Sequence, residues 1–213
     1  MTSPELQKKI HEAVKEKLSV GMTEHDVADI ISGICPHWQG DLISGVRTAG
    51  IEGEATDKVI EEGDVLLLDL QVKSENQWSD LTRVYFMGGI SSEQRQAYLK
   101  VKEALRVGEE NLRPGVKGKD LWKIMREAMN SPYAFDHHGG HRIGEGDEIV
   151  VNPRFVPESD EELEAGMIVT LEPAIYIPGK FGIRLENNYL ITETGFERLD
   201  DLSLDENEYI AKG

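Results

Sequence analysis

The sequence predicts an α/β chain of the α+β kind, and three observations carry that reading. Apolar residues recur at helical spacing in four segments, two β-rich runs bracket a polar turn between Gly63 and Met87, and a helix–helix–strand order occurs twice. In the repeat, Gly21-Met22-Thr23-Glu24-His25-Asp26-Val27 resembles Gly115-Val116-Lys117-Gly118-Lys119-Asp120-Leu121, and Gly63-Asp64-Val65-Leu66-Leu67-Leu68-Asp69 parallels Gly166-Met167-Ile168-Val169-Thr170-Leu171-Glu172. Similarity over so few residues also arises by chance. Its value is that it sets Asp69 against Glu172, each a carboxylate ending a buried strand. No linker or low-complexity stretch interrupts the chain, so one domain over 1–213 is expected, with halves of about 1–90 and 91–200.

Taken in order, Pro4 to Ser19 reads as a helix with Leu6, Ile10, Val14 and Leu18 on one face, and Gly21 suits the position past its end. Thr23 with Asp26 caps a second helix whose Val27, Ile30 and Ile31 face inward. Asp41–Thr48 is expected as a strand and 51–56 as an exposed loop. The central stretch predicts a strand over Asp64–Val72, a turn over Lys73–Ser79 and a strand over Leu81–Met87. Ser91 with Gln94 opens a long helix that Arg113-Pro114-Gly115 breaks, and Lys119–Met129 forms another. Beyond the histidine run His137–His141 and the acidic loop Glu158–Glu164, two further strands are expected at Met167–Ile177 and Gly182–Thr192.

At 213 residues and 39% hydrophobic content, the chain can bury a sizeable core. It contains no run of the ~18 apolar residues that a membrane span requires. The first residues, MTSPELQKKIHEAV, are charged and amphipathic, so no secretory signal is expected there. The single cysteine, Cys35, excludes an internal disulfide framework and fits a reducing, cytoplasmic setting. It reads as a structural thiol rather than a nucleophile, with only His37 near it in sequence. A net charge of −17 argues against nucleic acid or anionic membranes as partners.

Asp69 interrupts the apolar run Val65–Leu70, where an ionised carboxylate is costly without a partner. Asp80 follows eleven residues later, about the separation at which a hairpin sets the two side by side. Two carboxylates at close range repel, and a cation between them resolves the conflict. The alternative is Asp80 as a turn residue and Asp69 paired with an arginine such as Arg83. Glu172, between Leu171 and Pro173, and Glu186, after Gly182-Ile183-Arg184-Leu185, also sit in apolar strand contexts, and His141 closes the histidine run. Any one of these acids alone reads as readily as an ion pair with Arg83 or Arg184. Together, four carboxylates and one imidazole form an oxygen-rich donor set suited to Mn, Fe, Co or Zn. Such a set can hold two divalent metal ions roughly 3.5–4 Å apart and polarise a substrate carbonyl.

The segments GDVLLLDL, SDLTRVYF, GGHRIG, AGMIVTLEPAIY and GIRLENNYLIT occur in one order over almost the whole chain. In that order and spacing they resemble the methionine aminopeptidase, aminopeptidase P and prolidase family. The resemblance implies the pita-bread fold, a pseudo-twofold α/β domain whose curved, antiparallel-rich sheet is flanked by helices and holds a dinuclear site. It implies that Asp69 binds one metal, that His141 and Glu172 bind the other, that Asp80 and Glu186 bridge them, and that Glu172 also serves catalysis. Arg184, in Gly-Ile-Arg-Leu-Glu, and His137, four residues before His141, look like the Xaa-Pro peptidase branch. Arg184 is therefore expected to bind substrate and His137 to act in catalysis. The resemblance does not extend to the separate N-terminal domain common in that branch.

Two positions depart from the family pattern. Family peptidases carry a histidine where this chain has Glu52, and another seven residues beyond the ligand histidine, where it has Glu148. Those histidines are thought to bind the substrate carbonyl or the tetrahedral intermediate and to move protons. A carboxylate cannot donate a hydrogen bond to an oxyanion unless it is protonated. The alternative for Glu52 is a loop aligned a few residues off. Taken as substitutions, Glu52 and Glu148 become substrate-binding groups hospitable to a cation, and His137 becomes the candidate donor. Three classes of function follow: a di-metal Xaa-Pro peptidase, a relative acting on a non-peptide and cationic small molecule, or a silent binding protein. The expected function is a metal-dependent hydrolase of a small peptide or small molecule, with a homodimer compatible with it.

Overall fold

The computed structural model describes residues 1–212, and Gly213, the last residue of the expected domain, lies outside them. Helices α1 (Ser3–Lys17), α2 (Glu24–Ser32) and α3 (Ser92–Asn111) each begin at a capping box, formed by Thr2 with Glu5, Thr23 with Asp26 and Ser91 with Gln94. Helix α4 (Gly118–Met129) starts at Lys117 without a side-chain cap and ends at Asn130 in the left-handed region. No helix among the described residues is long and apolar enough to cross a membrane.

The central hairpin is longer than its composition predicts. Strand β2 (Val65–Ser74) and strand β3 (Gln77–Met87) leave only Glu75 and Asn76 as the turn, with φ of 49° and 70°. Two positive φ angles match the right-handed twist of the strands, so pairing runs up to the tight turn despite the polar residues there. Asp80 thus lies inside β3, opposite Gln71 and diagonal to Asp69, which faces Thr82. Alternation does the rest. Val65, Leu67, Val84 and Phe86 pack into one core with α3 and α4, while Leu66, Leu68, Leu70, Val72, Tyr85 and Met87 pack under α1 and α2 in another. Asp69 and Asp80 continue the first of these faces, toward the second half of the chain.

The expected Asp41–Thr48 strand shrinks to β1 (Leu42–Ser44), followed by a 3₁₀ turn over Gly45–Ala49 that Thr48 closes through the carbonyl of Gly45. The two expected C-terminal strands are each split in two. Strand β6 (Ile168–Leu171) stops at Glu172-Pro173, because proline offers no N–H to continue the ladder, and β7 (Ala174–Ile177) follows. Strand β8 (Phe181–Arg184) stops at Leu185-Glu186 before β9 (Asn187–Ile191), because the Glu186 N–H donates to Thr82 in the other half (3.2 Å). Glu172 and Glu186 therefore sit at strand breaks and not within strands.

One sheet has the order β1-β2-β3-β11, where β11 (Ile210–Ala211) is parallel to β3 and the other pairings are antiparallel. A second, antiparallel sheet joins β10 (Phe196–Arg198), β9, β6, β4 (His141–Ile143) and β5 (Val150–Arg154) in that order, and β7 pairs with β8. The hairpin β2–β3 and the pair β6–β9 thus take corresponding places in the two halves, each preceded by a pair of helices.

Glu24 ties the start of α2 to the segment entering the space between the sheets. Fully buried, it accepts hydrogen bonds from the N–H and hydroxyl of Ser44 (2.7 and 2.8 Å), those of Thr56 (3.0 and 2.8 Å), and the guanidinium of Arg47. Glu24→Gln keeps the shape and removes the charge that these donors serve, so a loss of about 2–3 kcal/mol is expected. Denaturant unfolding measures it, and limited proteolysis should reveal new cleavage within 50–57. An unchanged midpoint with an unchanged cleavage pattern would show that the segment is held elsewhere.

Candidate metal centre and its cavity

The five candidate ligands converge where the two halves meet. Besides the Glu186–Thr82 backbone bond, the Asp80 N–H donates to the side chain of Asn188 (3.1 Å), locking β3 to β9. The donor atoms of Asp80, His141 and Glu186 lie within 4.8 Å of one another. His141 Nε2 is 3.4 Å from Asp80 and 3.9 Å from Glu172. Asp69 and Glu172 line the same cavity, of about 850 Å³.

Each ligand is held on one side. Arg184 grips Asp69 Oδ2 (2.7 Å), Gln71 donates to Asp80 Oδ2 (3.2 Å), and Thr82 donates to Glu186 Oε2 (2.8 Å). His138 donates from Nδ1 to Glu172 Oε1 (2.9 Å), and Thr170 approaches the same oxygen (3.4 Å). The carbonyl of Arg142 takes His141 Nδ1 (2.9 Å), which turns Nε2 toward the carboxylates. Two glycines permit these approaches. A Cβ on Gly140 would stand 2.3 Å from the Thr170 carbonyl oxygen, and one on Gly40 would stand 2.2 Å from that of Asp69.

Asp69 Oδ1, Asp80 Oδ1 and Glu186 Oε1 are buried and have no hydrogen-bond partner among the described residues. Buried polar atoms are normally satisfied, so three orphaned carboxylate oxygens beside a free imidazole nitrogen fit hard divalent cations. The electrostatics agree. Burial first, and then the charges of Asp69 and Glu172, push the Asp80 carboxyl well above the ordinary carboxylate range. Glu186 is pushed up by burial and then by Asp80, Glu172 and Asp69. Burial acts in the same direction on Glu172, but His138, His141 and His137 outweigh it and hold its pKa near 2. Bare protein thus cannot carry four ionised carboxylates here without a compensating cation.

The arginine proposed as a partner for Asp69 proves to be Arg184 and not Arg83, which points to the opposite face and reaches Asp200 (3.4 Å). Arg184 is buried with all five N–H groups engaged: by Thr82, the Ile51 carbonyl, the Tyr176 hydroxyl, Asp41 and Asp69. His137 lies on the cavity wall with both ring nitrogens engaged, by the His138 carbonyl and by Tyr176 (3.0 Å), and burial lowers its pKa to about 4. Glu52 is exposed on the same wall, whereas Glu148 lies exposed on the β4–β5 loop, outside the cavity lining. His138, Asp41, Gln71 and Tyr176 carried no mark in the sequence reading. The signal available for His138 was its place in the histidine run before β4.

The model of metallopeptidase family M24 matches residues 3–193. A Xaa-Pro dipeptidase from Pyrococcus horikoshii is 33% identical over 88% of this chain and 56% of its own length. Among solved structures, an X-Pro aminopeptidase from Thermotoga maritima superposes with a TM-score of 0.88 at 30% identity, over 98% of this chain and 60% of that one. A prolidase from Pyrococcus furiosus gives the same TM-score, 0.88, at 33% identity over 94% and 62%. The chain spans little more than half the length of these relatives.

Proposed function

Since this chain belongs to metallopeptidase family M24 and has its pita-bread fold, we propose that it is a metal-dependent hydrolase of the Xaa-Pro peptidase branch, cleaving an amide bond in a small peptide. The observation that carries the reading is the convergence of Asp69, Asp80, His141, Glu172 and Glu186, with an unpartnered oxygen on three of them. The names of the relatives, Xaa-Pro dipeptidase and X-Pro aminopeptidase, support it. Residues 1–213 form one catalytic unit in this reading, with Asp69 and Asp80 from the half 1–90 and His141, Glu172 and Glu186 from the half 91–200.

Those five side chains, Asp80 and Glu186 among them, would hold two divalent ions; manganese, cobalt, iron or zinc would supply Lewis-acid activation of water and of the scissile carbonyl. The chain's own part is orientation and proton transfer. Arg184, Gln71 and Thr82 keep Asp69, Asp80 and Glu186 in place. Glu172, kept ionised by the neighbouring histidines, is the carboxylate placed to accept a proton as water adds to the amide. Tyr176, held by His137 of the cavity wall, buttresses Arg184 through its hydroxyl.

The test is turnover of a set of Xaa-Pro peptides by chain reconstituted with manganese or cobalt. Cleavage abolished by chelator, and reduced at least ~10²-fold in Asp80→Asn, is the expected result. Uptake of metal with no cleavage of any peptide would falsify the peptidase reading. A second reading, a non-peptide amide bearing a cationic group, is favoured by Glu52 and Glu54 on the cavity wall. Turnover of such amides without turnover of peptides would establish it.

A further inference from the structure

Resting on the hydrolase reading above, we propose that the cavity selects substrates carrying a positive group and no free carboxylate, so that amides and extended peptides with a basic residue are favoured over free dipeptides. Six carboxylates line the cavity, from Asp41, Glu52, Glu54, Asp69, Asp80 and Glu172, against one guanidinium, that of Arg184. The orphaned oxygens of Asp69 and Asp80, both more than nine-tenths buried, mark its reacting end. Two divalent ions there bring four positive charges, which leaves the balance negative. The surplus lies at the exposed end, on Glu52 and Glu54, neither of which has an ion-pair partner among the described residues.

The remaining polar groups of the wall point the same way. The guanidinium of Arg184 is 2% exposed and its five N–H groups each have a protein acceptor, so a substrate carboxylate would have to displace one. Both ring nitrogens of His137 are engaged. His138 donates from Nδ1 to Glu172, so that N–H is not free for a substrate carboxylate either. What this wall offers a ligand is acceptors. An ammonium or guanidinium finds Glu52 and Glu54, whereas a carboxylate meets like charge, the repulsive element from which specificity is built.

Calorimetric titration of the metal-free chain at about pH 8 reads this selectivity without turnover. Lys-Pro amide is expected to bind at least about tenfold more tightly than Lys-Pro with its free carboxylate, and than Glu-Pro amide. A Glu52→Gln, Glu54→Gln double variant should lose most of that difference while taking up manganese as the parent does. Equal binding of acid and amide, no detectable binding of Lys-Pro amide at millimolar concentration, or a preference that survives in the double variant overturns the proposal. Turnover by the manganese-loaded chain is scored separately. If none of these peptides is cleaved, the hydrolase reading fails, and the order of binding still decides the selectivity.

Discussion

Glu186→Gln is expected to raise the melting temperature of the metal-free protein and to abolish most of the further rise that manganese produces. The two effects have one cause. Glu186 is 1% exposed, with one oxygen satisfied by Thr82, the other unpartnered, and Asp80 and Glu172 close by. A glutamine keeps the acceptor for Thr82 and places a donor where an orphaned oxygen faced carboxylates. Relief of a buried acid group with an unsatisfied oxygen is worth about 1–3 kcal/mol, or roughly 3–10 °C for a chain of this size. In the parent, manganese at about 100 times its dissociation constant adds about 2.7 kcal/mol by linkage, and the variant lacks the ligand this requires.

A pH dependence follows from the same crowding. In the metal-free fold, Asp80 and Glu186 keep their protons at pH values where the unfolded chain has lost them. Their contribution to stability is present below the ordinary carboxylate range and is lost as pH rises toward their folded values. Glu186→Gln should flatten that slope. Thermal melts across pH, with and without manganese, check all three outcomes. A variant that melts lower than the parent without metal contradicts the crowding.

Arg83→Met is expected to cost about 3–5 kcal/mol, the loss usual when one partner of a buried ionic network is removed. Arg83 is fully buried and donates to the carbonyls of Thr82 (2.9 Å), Glu186 (2.6 Å) and Leu202 (3.3 Å), and to Asn187 (2.8 Å) and Asp200 (3.4 Å). Methionine fills much of the volume but takes one donor from each of these acceptors; Arg198 stays on Asp200 (2.6 Å), Asn187 (3.2 Å) and the Leu202 carbonyl (2.6 Å), and the Glu186 N–H stays on the Thr82 carbonyl (3.2 Å). Because the carbonyl of Glu186 is among them, manganese affinity should also fall, by about 10–100-fold as for other groups that orient a ligand. Urea unfolding and metal titration measure the two effects. Unchanged metal affinity in a folded variant would show that Arg83 supports the fold and not the centre.

The sequence by itself determined the helices, the central hairpin and the set of candidate ligands. Capping residues act within one turn, as Thr23 with Asp26 and Ser91 with Gln94 do. An acid inside an apolar run, such as Asp69 or Glu172, is costly enough to announce itself locally. The ends of strands were less legible, since hydrogen bonding to distant partners sets them. Polar Lys73 and Ser79 joined the ladder because Glu75 and Asn76 could turn the chain alone, and Glu186 left its strand because Thr82 took its N–H.

Only the tertiary structure decided which charges face each other. Arg83 and Arg184 are equivalent candidates in the sequence, yet pleat alternation turns Arg83 toward Asp200 and away from the centre, while Arg184 reaches Asp69. Glu52 and Glu148 stand at equivalent departures from the family pattern, and the fold brings Glu52 to the cavity and leaves Glu148 on an exposed loop. His138 acquires its place through Glu172, thirty-four residues away. Residue type and local spacing are written in the chain, whereas the pairing of charges across sheets depends on register and packing between segments far apart in it.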